Sequence, residues 1–243
     1  MDCIISLTSW SKRIKSEILQ LTLFTLLTQP KVCEYKVILV LSKQEFPHGD
    51  ADLPCNLVKM MNYMPNAEIL YVPDNTKSYK KYFPVARKYK DVPIITIDDD
   101  SPVKQYFLPY LWDIYQEYPA RIIYGYNNKI PKIAMDGSIK NVRYGVALYP
   151  PGSLYNLSEY FGRKYFHDMD DEFMKLLQVL NGTHYVPINA NDIIHMQLGM
   201  QEVAMGKLMH DQWDTINSMW SRLWHDHPKL HKLWVKNSKL SNW

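Results

Sequence analysis

Cysteine, glycine and net charge are what this chain has little of. Its three cysteines, Cys3, Cys33 and Cys55, are odd in number and widely spaced, with no CxxC pair and no Cys/His zinc spacing. They read as reduced, buried thiols of a cytoplasmic protein, not as a disulfide framework or a zinc site. Nine glycines among 243 residues provide no Gly/Ser linker, and no internal repeat or low-complexity tract divides the first half. A net charge of +3 excludes the strong basic footprint of a nucleic-acid binder. No run approaches the ~20 apolar residues of a membrane span. Met1 to Leu7 lack the charged lead and long apolar stretch of a signal peptide. A soluble or peripheral cytoplasmic protein is expected.

What is present is apolar and regularly spaced. A hydrophobic fraction of 47% suffices for one α/β domain with a sizeable core, or for one domain plus a small helical appendage. Apolar runs at Cys3 to Leu7, Tyr35 to Leu41, Glu68 to Val72, Ile94 to Ile97 and Arg121 to Tyr124 predict five strands. Helical patterns lie between them at Ile18 to Leu27, Asn56 to Met61, Lys77 to Tyr89 and Val103 to Tyr118. That alternation implies βαβ units and a mostly parallel sheet. Beyond Tyr126 the pattern loosens. An irregular stretch or hairpin over Asn127 to Tyr144 and a strand at Tyr144 to Tyr149 are expected. Helices at about Ser153 to Phe161 and Asp170 to Leu180, a strand at Thr183 to Pro187 and a mostly helical Asn191 to Trp224 follow.

The most informative stretch is Ile94-Ile95-Thr96-Ile97-Asp98-Asp99-Asp100, a buried strand that ends in three carboxylates. Ligands of open α/β sheets bind outside the carboxyl ends of the strands. Adjacent carboxylates repel one another and resist desolvation unless a cation compensates, and Mg²⁺ or Mn²⁺ favours oxygen ligands. A solvated acidic loop is the bland alternative. Asp99, alternating away from its neighbours, is either part of a binding site or structural.

These residues spell out a likeness. Thr8-Ser9-Trp10-Ser11-Lys12-Arg13-Ile14, Ser78-Tyr79-Lys80-Lys81 with Pro84, Thr96-Ile97-Asp98-Asp99-Asp100, Leu148-Tyr149-Pro150-Pro151 and Met169-Asp170-Asp171 occur in order over about Met1 to Pro187. Together they resemble the GT-A glycosyltransferases, above all bacterial enzymes that build capsular or lipooligosaccharide chains. The resemblance implies an α/β Rossmann-like nucleotide-diphospho-sugar transferase fold with a mostly parallel central sheet and a helical C-terminal region. It implies residues 1–190 as the transferase domain, with nucleotide-sugar binding about 1–126, the acceptor side about 127–190, and 191–243 as a helical extension. The implied activity is transfer of a hexosyl group from a nucleoside-diphosphate sugar to a hydroxyl of a glycan or lipid-linked glycan, in surface polysaccharide biosynthesis.

Site roles follow from the same resemblance. Asp100 would ligate a divalent Mn²⁺ or Mg²⁺ directly, and Asp98 would contact the ribose or the ion. Thr8 and Arg13 would lie near the nucleobase or diphosphate, with a surface charge as the alternative for Arg13. Asp74 would accept a bond from base or ribose, or else cap the turn Pro73-Asp74-Asn75-Thr76. Lys81 would hold phosphate, unless Lys77, Lys80, Lys81, Lys88 and Lys90 form a solvated helix face. Asp99 joins the nucleotide-sugar group on the same footing. Asp170 or Asp171 would be the catalytic base or bind the acceptor, against the plain reading of acids at a helix N-terminus.

In the tail, Leu230, Leu233, Trp234 and Leu240 share one side of a helical wheel, and Lys229, Lys232, Lys236 and Lys239 another. Such a helix either lies on an anionic membrane or packs on its own domain or a partner. A metal-dependent phosphohydrolase or nucleotidyltransferase, and a non-catalytic sugar-nucleotide-binding subunit, are the rival readings of the chain.

Overall fold

Alternation along the strands decides which layers form. A computed structural model describes residues 1–126, 132–133, 139–140, 144–195 and 213–238. In β1 (Cys3–Thr8), Cys3, Ile5 and Leu7 enter one core cluster, while Ile4 enters another on the opposite face. In β2 (Tyr35–Ser42), Val37, Leu39 and Leu41 oppose Ile38 and Val40 in the same way. A strand apolar on both sides must be covered on both sides, which helices in βαβ crossovers accomplish.

Those helices are α1 (Glu17–Leu27), α2 (Cys55–Tyr63) and α4 (Phe107–Glu117) on the first face, and α3 (Phe83–Lys88) on the second. β3 (Ala67–Val72), β4 (Ile94–Ile97), β5 (Ile122–Tyr126), β8 (Tyr144–Tyr149) and β9 (Tyr185–Asn189) complete a seven-stranded sheet of order β3-β2-β1-β4-β8-β5-β9. Its strands run parallel except β8, which is antiparallel to both β4 and β5. The two-residue strands β6 (Lys132–Ile133) and β7 (Ile139–Lys140) pair antiparallel. The rest of the expected hairpin over Asn127 to Tyr144 lies outside the described residues. So does most of the expected helix between Asn191 and α7 (Trp213–Asp226).

The chain leaves β1 for β2 on one side and returns with β4 on the other. The crevice between the carboxyl ends of β1 and β4 is therefore the topological switch point, where open α/β sheets bind ligands.

α5 (Glu159–Phe166) and α6 (Asp170–Asn181) cover the second face beside β5 and β8. They pack without a side chain between them at Gly162, where an added Cβ would stand 2.5 Å from the Phe173 ring. α7 and α8 (Pro228–Ser238) close this cluster, with Trp220 and Trp234 buried in it and the Asn237 side chain donating to the Leu180 carbonyl at 2.9 Å. The apolar side of the tail is thus spent on its own domain, the second of the two alternatives for it. Lys229, Lys232 and Lys236 stay exposed, and Leu240 lies outside the described residues.

Several expectations need correction. Lys77 to Tyr89 is not one helix. A 3₁₀ turn over Lys77–Lys81 precedes α3, because Lys77 takes φ +55° and Pro84 fits only a helix's first turn. The helix expected over Val103 to Tyr118 starts only at Phe107, since Val103 bridges to Ile194 instead. The helix placed at Ser153 to Phe161 starts at Glu159, where the Ser158 hydroxyl caps the Phe161 amide. Cys3 and Cys33 are buried, but Cys55 is exposed at the start of α2.

Candidate active site

Four segments far apart in sequence converge on the carboxyl end of β4. Asp98, Asp99 and Asp100 leave that strand. Ser9 and Arg13 follow β1, Lys81 ends the 3₁₀ turn after β3, and Asp170 opens α6.

The three consecutive aspartates have different surroundings. Asp99 turns inward and is 6% exposed. Its Oδ2 accepts from Ser9 Oγ at 2.6 Å and its Oδ1 from Arg13 Nη1 at 2.5 Å. The second fork nitrogen of Arg13 reaches Asp100 Oδ2 at 2.9 Å. Burial opposes the charge on Arg13, but Asp99 and Asp100 outweigh it and hold the guanidinium firmly protonated. The Asp100 carboxyl is pushed up to about 6, first by burial and then by Asp98, with Arg13 pulling the other way. Asp98 is the open member, its side chain 41% exposed.

Lys81 joins this group to α6. Its Nζ lies 3.0 Å from Asp98 Oδ1 and 3.0 Å from Asp170 Oδ2. Burial works against the ammonium, yet Asp170, Asp98 and Asp171 carry it well above its ordinary value. Lys80 is also buried, donating to Asn75 Oδ1 at 2.5 Å, so neither lysine belongs to a solvated helix face. Backbone tethers hold the two segments together. Ser78 Oγ donates to the Asp168 carbonyl at 3.2 Å, and Arg163 Nη1 to the Asn75 carbonyl at 3.3 Å.

The remaining expected residues lie as follows. The Thr8 hydroxyl donates to the Val40 carbonyl at 2.7 Å and so ties β1 to β2. Asp74 is exposed and accepts from Tyr160 Oη at 2.5 Å, beside a small hollow also lined by Thr76, Pro84, Arg87 and Glu159. Asp171 follows Asp170 in the first turn of α6, where the helix dipole favours acids. Nothing local in the sequence marks Ser9 as the partner of an aspartate 90 positions on.

Among the described residues no group of three or more His, Cys, Asp or Glu could by itself hold a metal ion. Mg²⁺-type sites commonly use one or two carboxylates and take the other ligands from water and substrate phosphates. Asp98 and Asp100 suit that arrangement. They are oxygen donors, two residues apart where β4 ends, with Asp98 the more open of the two.

Solved structures share this α/β arrangement. No protein-family model matches the chain, and no curated protein does. The crystal structure of S. aureus TarS 1-349 aligns with 74% of this chain at 15% identity and a TM-score of 0.50. The same protein in complex with UDP aligns with 74% at 14% identity and a TM-score of 0.51. A 4-diphosphocytidyl-2C-methyl-D-erythritol synthase aligns with 84% at 13% identity and a TM-score of 0.47. The aligned part spans 56% of the TarS 1-349 chain. At such identities the likeness to TarS is one of fold. The fold is α/β, of the GT-A type, with a mostly parallel seven-stranded sheet.

Proposed function

We propose that this chain is a metal-dependent glycosyltransferase that moves a sugar from a nucleoside-diphosphate sugar to a hydroxyl of a bacterial surface glycan or lipid-linked glycan. The observation that carries the reading is the convergence of Asp98, Asp100, Arg13, Lys81 and Asp170 at the switch point. A shared fold with a protein solved in complex with UDP supports it.

In this reading residues about 1–126 bind the nucleotide sugar, 127–190 form the acceptor side, and 191–243 are a helical extension. Asp98 and Asp100 would hold a Mn²⁺ or Mg²⁺ ion. Bound there, the ion supplies positive charge against the departing nucleoside diphosphate, charge that counts most in the transition state. Arg13 stays in place, because Asp100 and an Asp99 held by Ser9 fix its fork, and presents its remaining surface to the diphosphate. Lys81 offers a mobile ammonium to phosphate oxygens. Thr8 orders the loop after β1 beside the nucleotide, and Asp74 contacts the base or ribose.

Asp170 is the better placed candidate for the base that takes the acceptor's proton, since Lys81 ties it directly to Asp98. Asp171, next on the helix, binds the acceptor. Contact with an anionic membrane would be electrostatic, through Lys229, Lys232 and Lys236, because Trp234 is buried.

The test is a screen of sugar nucleotides for Mn²⁺-dependent hydrolysis or transfer, with Asp100→Ala in parallel. Wild type should turn over at least one donor and the variant none, with unchanged circular dichroism. Equal turnover by a folded Asp100→Ala protein would refute the reading.

A further inference from the structure

We propose that Lys81 is a built-in counter-cation that keeps bare divalent ions out of the acid cluster and gives way when a nucleoside diphosphate arrives, so that metal and donor load together. The inference rests on the reading that Asp98 and Asp100 take the ion, and it concerns the order in which the site fills.

The two cations of the cluster differ in freedom. Arg13 is a planar fork with Nη1 on Asp99 and Nη2 on Asp100, and Asp99 is pinned from its other side by Ser9. Moving that guanidinium would strand a buried carboxylate. Lys81 is a point charge on a flexible four-carbon stem. Its backbone is tethered through Ser78 to the Asp168 carbonyl, so the turn can stay while the ammonium swings.

The positions set the competition. Lys81 Nζ occupies Asp98 Oδ1, and Asp98 is the most exposed acid of the cluster. A bare divalent ion approaching Asp98 must push the ammonium away. Lys81, only 9% exposed, then keeps Asp170 and the nearby charge of Asp171, loses its bond to Asp98 and faces a new positive charge. A diphosphate changes this balance. Its oxygens offer the displaced ammonium new partners and add negative charge beside the incoming ion. Binding of each ligand therefore lowers the cost of the other, which is a coupling between them and is reciprocal.

The experiment is a Mn²⁺ titration of the full chain followed by electron paramagnetic resonance, with and without UDP, GDP or CDP and corrected for chelation in solution. Wild type should bind Mn²⁺ alone weakly, and at least about tenfold more tightly with the nucleotide that fits. Lys81→Gln and Lys81→Met, each checked for folding by circular dichroism, should tighten binding of Mn²⁺ alone by about tenfold. The coupling should shrink by the same factor. Lys81→Arg, which keeps the charge, should retain the wild-type pattern. If either folded variant binds Mn²⁺ alone no better than wild type, while wild type still forms the ternary complex, the exchange idea is overturned and the proposed function stands. If wild type takes up no Mn²⁺ with any of the three nucleotides, the proposed function falls, and this inference with it.

Discussion

Lys81 and Asp170, 89 positions apart, meet at 3.0 Å, so that the turn after the third strand and the first turn of α6 are joined over the end of β4. Around that pair the acids differ in burial, Asp99 turned inward onto Ser9 and Arg13 and Asp98 the most open.

Asp98 and Asp99 are neighbours in sequence with opposite surroundings. Asp99→Ala leaves the buried Arg13 fork short of one partner and should destabilise by about 3 kcal/mol. Asp98→Ala, at a half-exposed carboxylate, should cost less than about 1 kcal/mol. Urea unfolding of the two variants measures both. Equal losses would mean that the aspartates are not divided in this way.

Gly162 sets the distance between α5 and α6. Gly162→Ala places a methyl group against the buried Phe173 ring and should destabilise by about 1–3 kcal/mol. On the proposed function it should also weaken donor turnover, because α6 carries Asp170. Thermal unfolding and activity at a temperature well below the transition separate the two effects.

His167 has φ +52° and ψ −114°, a conformation that L side chains seldom adopt, and it is exposed. His167→Gly should therefore stabilise by about 1 kcal/mol. A lower melting temperature in that variant would show that the imidazole makes a contact worth more than the strain.

Lys175 lies buried in α6, its ammonium 3.9 Å from the Tyr185 ring centroid and 5.2 Å from that of Tyr124. Burial pulls its amine down to about 7 from the ordinary lysine value of 10.5. The unfolded chain then binds more protons than the fold between those values, so wild-type stability gains with rising pH across that window. Below it both states are protonated and the full penalty applies. Lys175→Met should stabilise by about 2 kcal/mol at pH 7, and the advantage should shrink towards pH 10. Paired denaturation curves at several pH values read out the difference, and a constant gap would contradict the burial argument.

Local patterns made most of the sheet legible. β4 and β8 fall where their apolar runs predict, and the acids stand where β4 leaves the core. The segment from Lys77 to Tyr89 was not legible as a turn plus a helix, since a left-handed φ at a lysine has no sequence mark. Ser158, by contrast, is an ordinary capping residue, and its position was available for placing α5. The pairing of Ser9 with Asp99 and of Lys81 with Asp170 depends on how the strands are ordered. Periodicity within one segment carries no information about it.

A site assembled from Arg13, Lys81, Asp98 and Asp170 draws on most of the described chain. No proteolytic fragment retaining only one of those segments should inherit the binding. A nick that lets the pieces separate should disperse this cluster even where each piece keeps its helices. On the proposed function, ligand capture would accordingly also report the chain's integrity from β1 to α6.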